Sequence, residues 1–550
     1  MLGLALAAGT AGPAAGGRSA AGAGAEDTAA APERPGEEPG GAAAEHEPAG
    51  DPAGAVRVAG PRKPRRPPRA PGAGQPGRND AGPDDPAHEP VGMSPEAHAV
   101  PHDAAAFRPD PGYADEAYDA AAQLAIYGGK RRNPTQRPAI EWGRALYAGG
   151  PFRRSASALG EKNLASPTLL AYGDVRLGTS RIDGGASPFD AWGARLNLDV
   201  DWQLTATERV HAFVGPLDQD GEFVGSANHD PEDALDGNLD AIFFEGELGA
   251  IVSGARGKDS RFDLPFAFGL MPLQLQNGVW LEDAVGGLAL TIPARNSRRL
   301  DVSNMDVTLF AAFDRVDSAA VSDDGAANVY GVAAFVEARE GYCELGYGYT
   351  DDRRGDGAAS YHNLAFAFSR RYGAWLSNTV RLVGNFGQDA PPTGPRTADG
   401  ALLLVESSFI TRQPYTVVPY VNLFAGFDQP QSLARDPQAG GILKNTGLAF
   451  ETDGLTGTPT LDATGHNTWG GAAGLELLFD FTRQLVLEVA GLEAHGPADE
   501  RTAVGGQAAL AFRYQQPLNH AAIVRVDGLY GRRQGEEDIW SGRVELRYKF

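Results

Sequence analysis

Charged side chains recur in this chain at every second position, with apolar residues between them. In Trp540–Phe550, Ser541, Arg543, Glu545, Arg547 and Lys549 alternate with Trp540, Gly542, Val544, Leu546, Tyr548 and Phe550. Arg195, Asn197, Asp199 and Asp201 alternate with Leu196, Leu198, Val200 and Trp202. Charges spaced in this way share one face of a ribbon, where they can pair with a neighbouring ribbon or set the potential of a solvent-filled space. They are not spaced for catalysis. Nucleophile chemistry needs a base and an orienting group, and neither a GxSxG nor an HExxH motif occurs. Of the ten histidines, His46, His88, His98 and His102 lie in a stretch without aromatics, and His211 and His495 stand singly. The reading is a non-enzyme without a cofactor. With Cys343 as the one cysteine, thiolate metal sites are excluded, and no metal site is expected. Residues 218 to 240 carry Asp218, Asp220, Glu222, Asp230, Glu232, Asp233, Asp236 and Asp240, but lack the twelfth-position glutamate of an EF-hand. They read as an acidic outer loop.

A period of two identifies the elements that must hold these charges as β-strands with one oily and one wet face. Trp540–Phe550 is eleven residues long, beyond the usual strand length of about 5 to 6 and within the roughly 9 to 11 that cross a bilayer at a tilt. Trp469, Gly471, Ala473, Leu475, Leu477, Phe479 and Phe481 oppose Glu476 and Asp480; Val524, Val526, Gly528 and Tyr530 alternate with Arg525 and Asp527; Ile242, Phe244, Gly246 and Leu248 alternate with Glu245 and Glu247. Segments of this kind number eighteen between Leu169 and the C-terminus, with sixteen as the alternative count because 264 to 292 is least regular. Their connections alternate in length. Thr482-Arg483, Arg339-Glu340 and Arg371-Tyr372-Gly373 are tight, whereas 218 to 240, 387 to 400 and 429 to 467 are long, as in a barrel with turns at one rim and loops at the other. Two joins on the short side, 253 to 263 and 293 to 304, are longer than that rhythm expects. Gln274–Asp283 reads equally as an inward constriction or as a continuing strand. A soluble sandwich would need large aliphatics where Gly and Ala stand between aromatics, and seldom uses strands this long.

Composition sets the remaining limits. With 71 Asp+Glu against 48 Lys+Arg, the net charge of −23 argues against a nucleic-acid partner. No apolar run is long enough for a membrane helix. Aromatics begin only at Phe107, and the Ala/Pro/Gly-rich residues 21–110 read as a disordered arm. Residues 1–20, opening LGLALAA without a basic n-region, read as an atypical or truncated signal peptide. Residues 111–167 read as a periplasmic lead-in with a short helix over Tyr113–Tyr127, and 168–550 as the barrel.

The ending Val544-Glu545-Leu546-Arg547-Tyr548-Lys549-Phe550 resembles the C-terminal strand of Gram-negative outer-membrane β-barrels, with alternating apolar residues and a terminal Phe. The resemblance implies a bacterial outer-membrane location and recognition by the barrel-assembly machinery. The size is similar to that of the 16- and 18-strand porins, which implies passive passage of small solutes or ions and, as a common assembly, a homotrimer. The expected fold class is therefore all-β: a large antiparallel transmembrane β-barrel in outer-membrane lipid.

In such a barrel the wet faces line the lumen. The inward acids are then Asp174, Asp199, Asp201, Glu245, Glu247, Asp306, Asp314, Glu337, Glu344, Glu406, Glu476, Asp480, Glu488, Asp527 and Glu545. The inward bases are Arg176, Arg195, Arg381, Arg513, Arg525, Arg543, Arg547 and Lys549. The acidic excess implies a weak cation preference, unless pairing between adjacent strands consumes these charges. Trp202, Trp469, Phe481, Tyr530, Trp540, Tyr548 and Phe550 are the expected aromatic girdle. The competing reading is a closed-lumen structural or surface-binding barrel anchored to the cell wall through its arm.

Overall fold

The computed structural model describes residues 138–143, 168–204, 208–217, 224–225, 239–256, 258, 260–321, 323–354, 357–391, 395–452, 455–479 and 482–550. The signal-like segment, the arm, the Tyr113–Tyr127 helix and most of the acidic 218 to 240 loop lie outside them.

Eighteen long strands follow one another in antiparallel order. The first six are β1 Thr168–Asp183, β2 Phe189–Gln203, β3 Arg209–Leu217, β4 Leu239–Glu247, β5 Pro265–Leu275 and β6 Leu281–Ser297. Next come β7 Val302–Asp314, β8 Ala327–Ala338, β9 Gly341–Asp352, β10 Tyr361–Tyr372, β11 Leu376–Phe386 and β12 Asp399–Phe409. The last six are β13 Val417–Gln429, β14 Thr468–Leu477, β15 Gln484–Ala494, β16 Gln507–Pro517, β17 Ala522–Arg533 and β18 Ile539–Lys549. Each pairs with its sequence neighbour, and β18 returns to β1 in a register running from Asp174↔Lys549 to Asp183↔Trp540. This closes the sheet. Closure gives each long strand a neighbour on both sides, the condition for crossing lipid with strands. Since β1 begins before β18 ends, Leu169–Ala171 would remain an open edge; the short strand Ile140–Trp142 pairs there.

The outer face is apolar and uncovered. Leu177, Phe268, Leu309, Leu345, Leu382, Leu423, Leu487 and Leu510 are all exposed and come from strands around the whole circumference. A belt of this kind has no place in water and matches a hydrocarbon layer. Aromatic groups gather near both ends of the strands: Phe244, Phe266 and Phe268 or Trp375 and Phe409 toward the short turns, Tyr347, His362 and Phe386 or Phe313 and Tyr330 toward the long loops. The protein is thus a closed 18-strand transmembrane barrel of the outer-membrane type.

The irregular region resolves into two strands, β5 and β6, and eighteen is the strand number. The two overlong joins have separate causes. The first holds a helix, α1 Leu248–Arg256; in the second, β6 runs past its pairing with β5, which ends at Phe266↔Leu290, to a turn at Arg298–Asp301. Gln274–Asp283 satisfies both of its readings. The strands extend to Leu275 and resume at Leu281, and the intervening turn drives Trp280 into the interior, where its ring is fully buried, meets Phe310 edge-on and donates from Nε1 to Asn363 at 2.9 Å.

The largest departure from expectation is the join 429 to 467. Instead of remaining with the outer connections, residues 430–452 and 455–467 turn inward as a strap. Leu433, Ile442, Leu443, Ala449, Phe450, Leu455 and Leu461 are buried, and all but Leu455 share one apolar cluster with Trp280, Phe310, Val383, Phe424 and Leu529 of the wall. The hydrophobic core of this protein therefore lies inside the barrel. Each large side chain buried there contributes about 1.5–3 kcal/mol.

Candidate functional site

The inner wall and the strap together define the candidate pathway. The wall supplies two kinds of inward surface. Where the strap and the Trp280 turn approach, inward residues are small: Gly346 and Gly348 on β9, Ala365 and Ala367 on β10, Ala472 on β14, Ala509 and Ala511 on β16. A Cβ on Gly346 would stand 2.7 Å from the Trp280 ring, and one on Gly348 would strike Leu433. On β1, a Cβ at Gly178 would lie 2.6 Å from Leu455.

Elsewhere the inner face is charged, and its charges are organised. Across the closing seam, Arg176 on β1 donates to Glu545 on β18 at 2.7 and 3.1 Å, while Arg547 donates to Asp174 at 2.7 and 2.8 Å. Forks of this type fix both strands in register. The chain of pairs continues along the wall. Arg543 on β18 and Arg525 on β17 both reach Asp527, and Arg513 on β16 donates to the same carboxylate at 2.8 Å. Arg513 also donates to both oxygens of Glu451 on the strap, at 2.8 and 2.9 Å. Arg525 approaches Glu451 at 3.4 Å.

Two further strap anchors are acidic residues of the wall. Glu488 on β15 accepts from the backbone amides of Leu448 and Ala449 at 2.9 and 3.0 Å and from the Tyr420 hydroxyl. Glu282 on β6 receives Lys444 at 2.6 Å and Arg435 at 3.3 Å. The strap thus bridges the lumen from β6 to β16. Burial drives the Lys444 ammonium below its ordinary value, opposed by the Glu282 carboxylate. His466 is pushed by burial to about 4, so the strap carries a neutral imidazole, which contacts Gln431 at 2.9 Å.

Toward the short turns, Asp201 accepts from Tyr172 at 2.8 Å, meets His211 at 2.8 Å and lies 3.2 Å from Arg209; Asp199 is 3.5 Å from His211, and Glu245 also pairs with Arg209. Arg195 is completely buried, donating to Asn197 at 2.6 Å and Asp240 at 3.2 Å. Arg381 is shared by Glu406 at 2.7 Å and Glu344 at 3.6 Å. Asp306 accepts the Ala294 amide at 2.6 Å. Glu476 takes a hydrogen bond from Gln484. Glu247 is used locally, accepting the amides of Gly249, Ala250 and Leu264 where α1 begins. Asp480 and Phe481 lie outside the described residues. Of the aromatics, Trp202, Trp469, Tyr530 and Tyr548 are exposed, and Trp540 and Phe550 are partly covered.

Sequence reasoning missed Glu451, Tyr420, Glu282, Lys444 and the strap that brings them together. Two signals pointed to it: an unusually apolar long loop with Ile442, Leu443, Leu448, Phe450, Leu455 and Leu461, and inward Gly and Ala on the strands that face it. A second unanticipated group is the convergence of Asp283, Asp317 and Asp436, whose oxygens lie within 4.8 Å of one another. Carboxylates so close repel when all are ionised, and the cluster has the ligand type of a hard cation.

No protein-family model and no curated protein matches the chain. Among solved structures, similar ones include Pseudomonas aeruginosa OccK1 (OpdK), 13% identical over 69% of this chain and 98% of that one, with a TM-score of 0.45. Pseudomonas aeruginosa OccK2 (OpdF), solved in complex with glucuronate, is 11% identical over 70% of this chain and 98% of that one, with a TM-score of 0.45. Acinetobacter baumannii OccAB4 is 9% identical over 72% of this chain and all of that one, with a TM-score of 0.46.

Proposed function

We propose that this protein is an outer-membrane porin, a passive channel for small hydrophilic solutes with a weak preference for cations. The observation that carries the reading is the sidedness of the closed wall: exposed apolar side chains outside, an ion-bearing face inside. No bound group or nucleophile is needed for such passage. Trp202, Tyr548 and Phe550 at the short-turn end, and Trp469, Tyr530 and Trp540 at the long-loop end, would then sit at the two lipid interfaces.

The cation preference follows from which inward charges are balanced. Along β16, β17, β18 and β1, arginines and carboxylates alternate as partners. Around the rest of the wall the acids outnumber their partners: Glu344 and Glu406 share Arg381, and Glu476, Glu488 and Asp306 face neutral donors. A lumen bordered by that surplus concentrates cations.

A salt gradient across a planar bilayer tests this reading. The reversal potential is expected to have the sign of a cation-preferring pore, and liposomes bearing the protein are expected to swell in small sugars or amino acids. Anion preference would overturn the charge argument, and absence of swelling the transport reading. The apolar packing of the strap favours one alternative, a barrel with a sealed lumen acting as a structural or surface-binding element. That barrel would conduct nothing.

A further inference from the structure

The two ends of the barrel differ in charge. At the long-loop end, acids such as Asp190, Asp314, Asp323, Asp351, Asp499 and Glu537 dominate the described surface. The short-turn end is the reverse. Arg298 and Arg299 in the β6–β7 turn, Arg339 in the β8–β9 turn, Arg371 at the end of β10, Arg412 after β12 and Arg483 before β15 are all exposed, and none has a carboxylate partner among the described residues. The acids nearby are fewer: Asp301, Glu337 and Glu340 beside Arg298 and Arg339, with Glu340 held by Arg370, and Asp263 before β5. Between these turns stand outward aromatic and aliphatic groups, with Trp375 at 57%, Tyr415 at 63% and Leu300 at 69% exposure. They continue the lipid-facing belt to the level of the arginines.

We propose that this rim binds the phosphate-bearing headgroups of anionic phospholipid in the leaflet it faces. The inference rests on the membrane placement of the barrel and is independent of whether the lumen conducts. Guanidinium groups match phosphate oxygens with paired donors, and they gain most where one flank of the site is already dehydrated by acyl chains. Trp375 and Tyr415 supply that flank, placing ring edges at the headgroup level while the arginines extend beyond them. The arginines lie on separate turns spread along the rim, so they meet a surface of headgroups and do not converge on one small anion.

The test uses the full chain in nanodiscs holding equal phosphatidylglycerol and phosphatidylcholine, transferred to detergent, with co-purifying lipid counted by native mass spectrometry. Phosphatidylglycerol is expected to be retained about tenfold over phosphatidylcholine, a modest preference for several arginines each favoured by an anionic surface. The triple variant Arg298→Gln/Arg299→Gln/Arg339→Gln is expected to lose the preference, and Arg532→Gln at the opposite end to keep it. Should the triple variant not fold, as judged by loss of heat-modified mobility, Arg412→Gln/Arg483→Gln on other turns serves in its place. Equal retention of the two lipids, or an unchanged preference in the variants, overturns the proposal. Displacement of the lipid by millimolar inorganic phosphate also overturns it, assigning the rim to a soluble anion. Lipid retention is read without current, so a barrel that selects phosphatidylglycerol and conducts nothing contradicts the porin reading alone.

Discussion

Arg513 on β16 holds Glu451 of the strap through two hydrogen bonds, at 2.8 and 2.9 Å, and the same guanidinium holds Asp527 of β17 at 2.8 Å. One arginine therefore belongs both to the wall and to the element that crosses the lumen. Replacing Glu451 by Gln removes a charge-assisted fork worth about 1.5–3 kcal/mol per hydrogen bond at most, less where water reaches the pair. The strap is expected to dock more weakly at this end, and Arg513 and Arg525 to gain positive potential. Single-channel recording should show larger or noisier openings and a reversal potential shifted toward anions; a current identical to wild type would mean that Glu451 does not hold the strap.

The Trp280 turn depends on the absence of a side chain opposite. Gly346→Ala places a methyl group 2.7 Å from the indole ring, inside any real carbon contact, so the ring must shift and the Nε1 bond to Asn363 must stretch. Overpacking of this kind costs about 1–3 kcal/mol. The expected readout is a lower midpoint for the heat-induced mobility change and an altered Trp emission spectrum. An unchanged midpoint and spectrum would show that the turn yields freely.

The seam should be the more sensitive site. Arg176 and Glu545 are both nearly buried, and Glu545→Gln leaves the guanidinium with one charged partner fewer. Removing one member of a buried pair costs about 3–5 kcal/mol. The heat-modification midpoint is expected to fall further than for Arg396→Gln, which breaks an exposed pair with Asp399 in the join after β11. Equal effects would mean that the seam forks add nothing to closure.

His466 makes strap docking depend on acidity. Its ordinary value of 6.5 is depressed to about 4 by burial, so between these values an undocked strap binds a proton that the docked strap refuses. Stability from this group is complete above pH 6.5, falls as the pH drops toward 4, and changes no further below that. His466→Gln retains amide donors and acceptors without the titration. Relative to wild type, the variant is expected to be more stable at pH 5 than at pH 7, measured by protease cleavage within the strap. A difference independent of pH would contradict this assignment.

The strands were legible because the alternation that defines them is local. Eighteen alternating segments are expected between Leu169 and the C-terminus, and eighteen long strands run from Thr168 to Lys549. Inward and outward faces followed from the same parity, which is why Asp527 and Glu545 were recognisable as members of one wet surface. The strap was not legible, since its partners are remote in sequence: Leu455 rests on Gly178, and Glu451 on Arg513. Pairings between charges were hidden for a related reason. Parity places Arg513, Arg525 and Arg543 on the inner face and sets Arg525 beside Asp527 on the same strand, but only the register between strands puts Arg513 and Arg543 opposite Asp527.

Stepwise current through single molecules in a planar bilayer tests the channel most directly, compared between the wild-type barrel and one in which residues 437–462 are replaced by a short flexible linker. Discrete ohmic openings are expected in the wild type, with a several-fold larger step once the strap is shortened. Silence from both proteins, with each still showing the heat-modified mobility of a closed barrel, would contradict the account of a solute-conducting lumen.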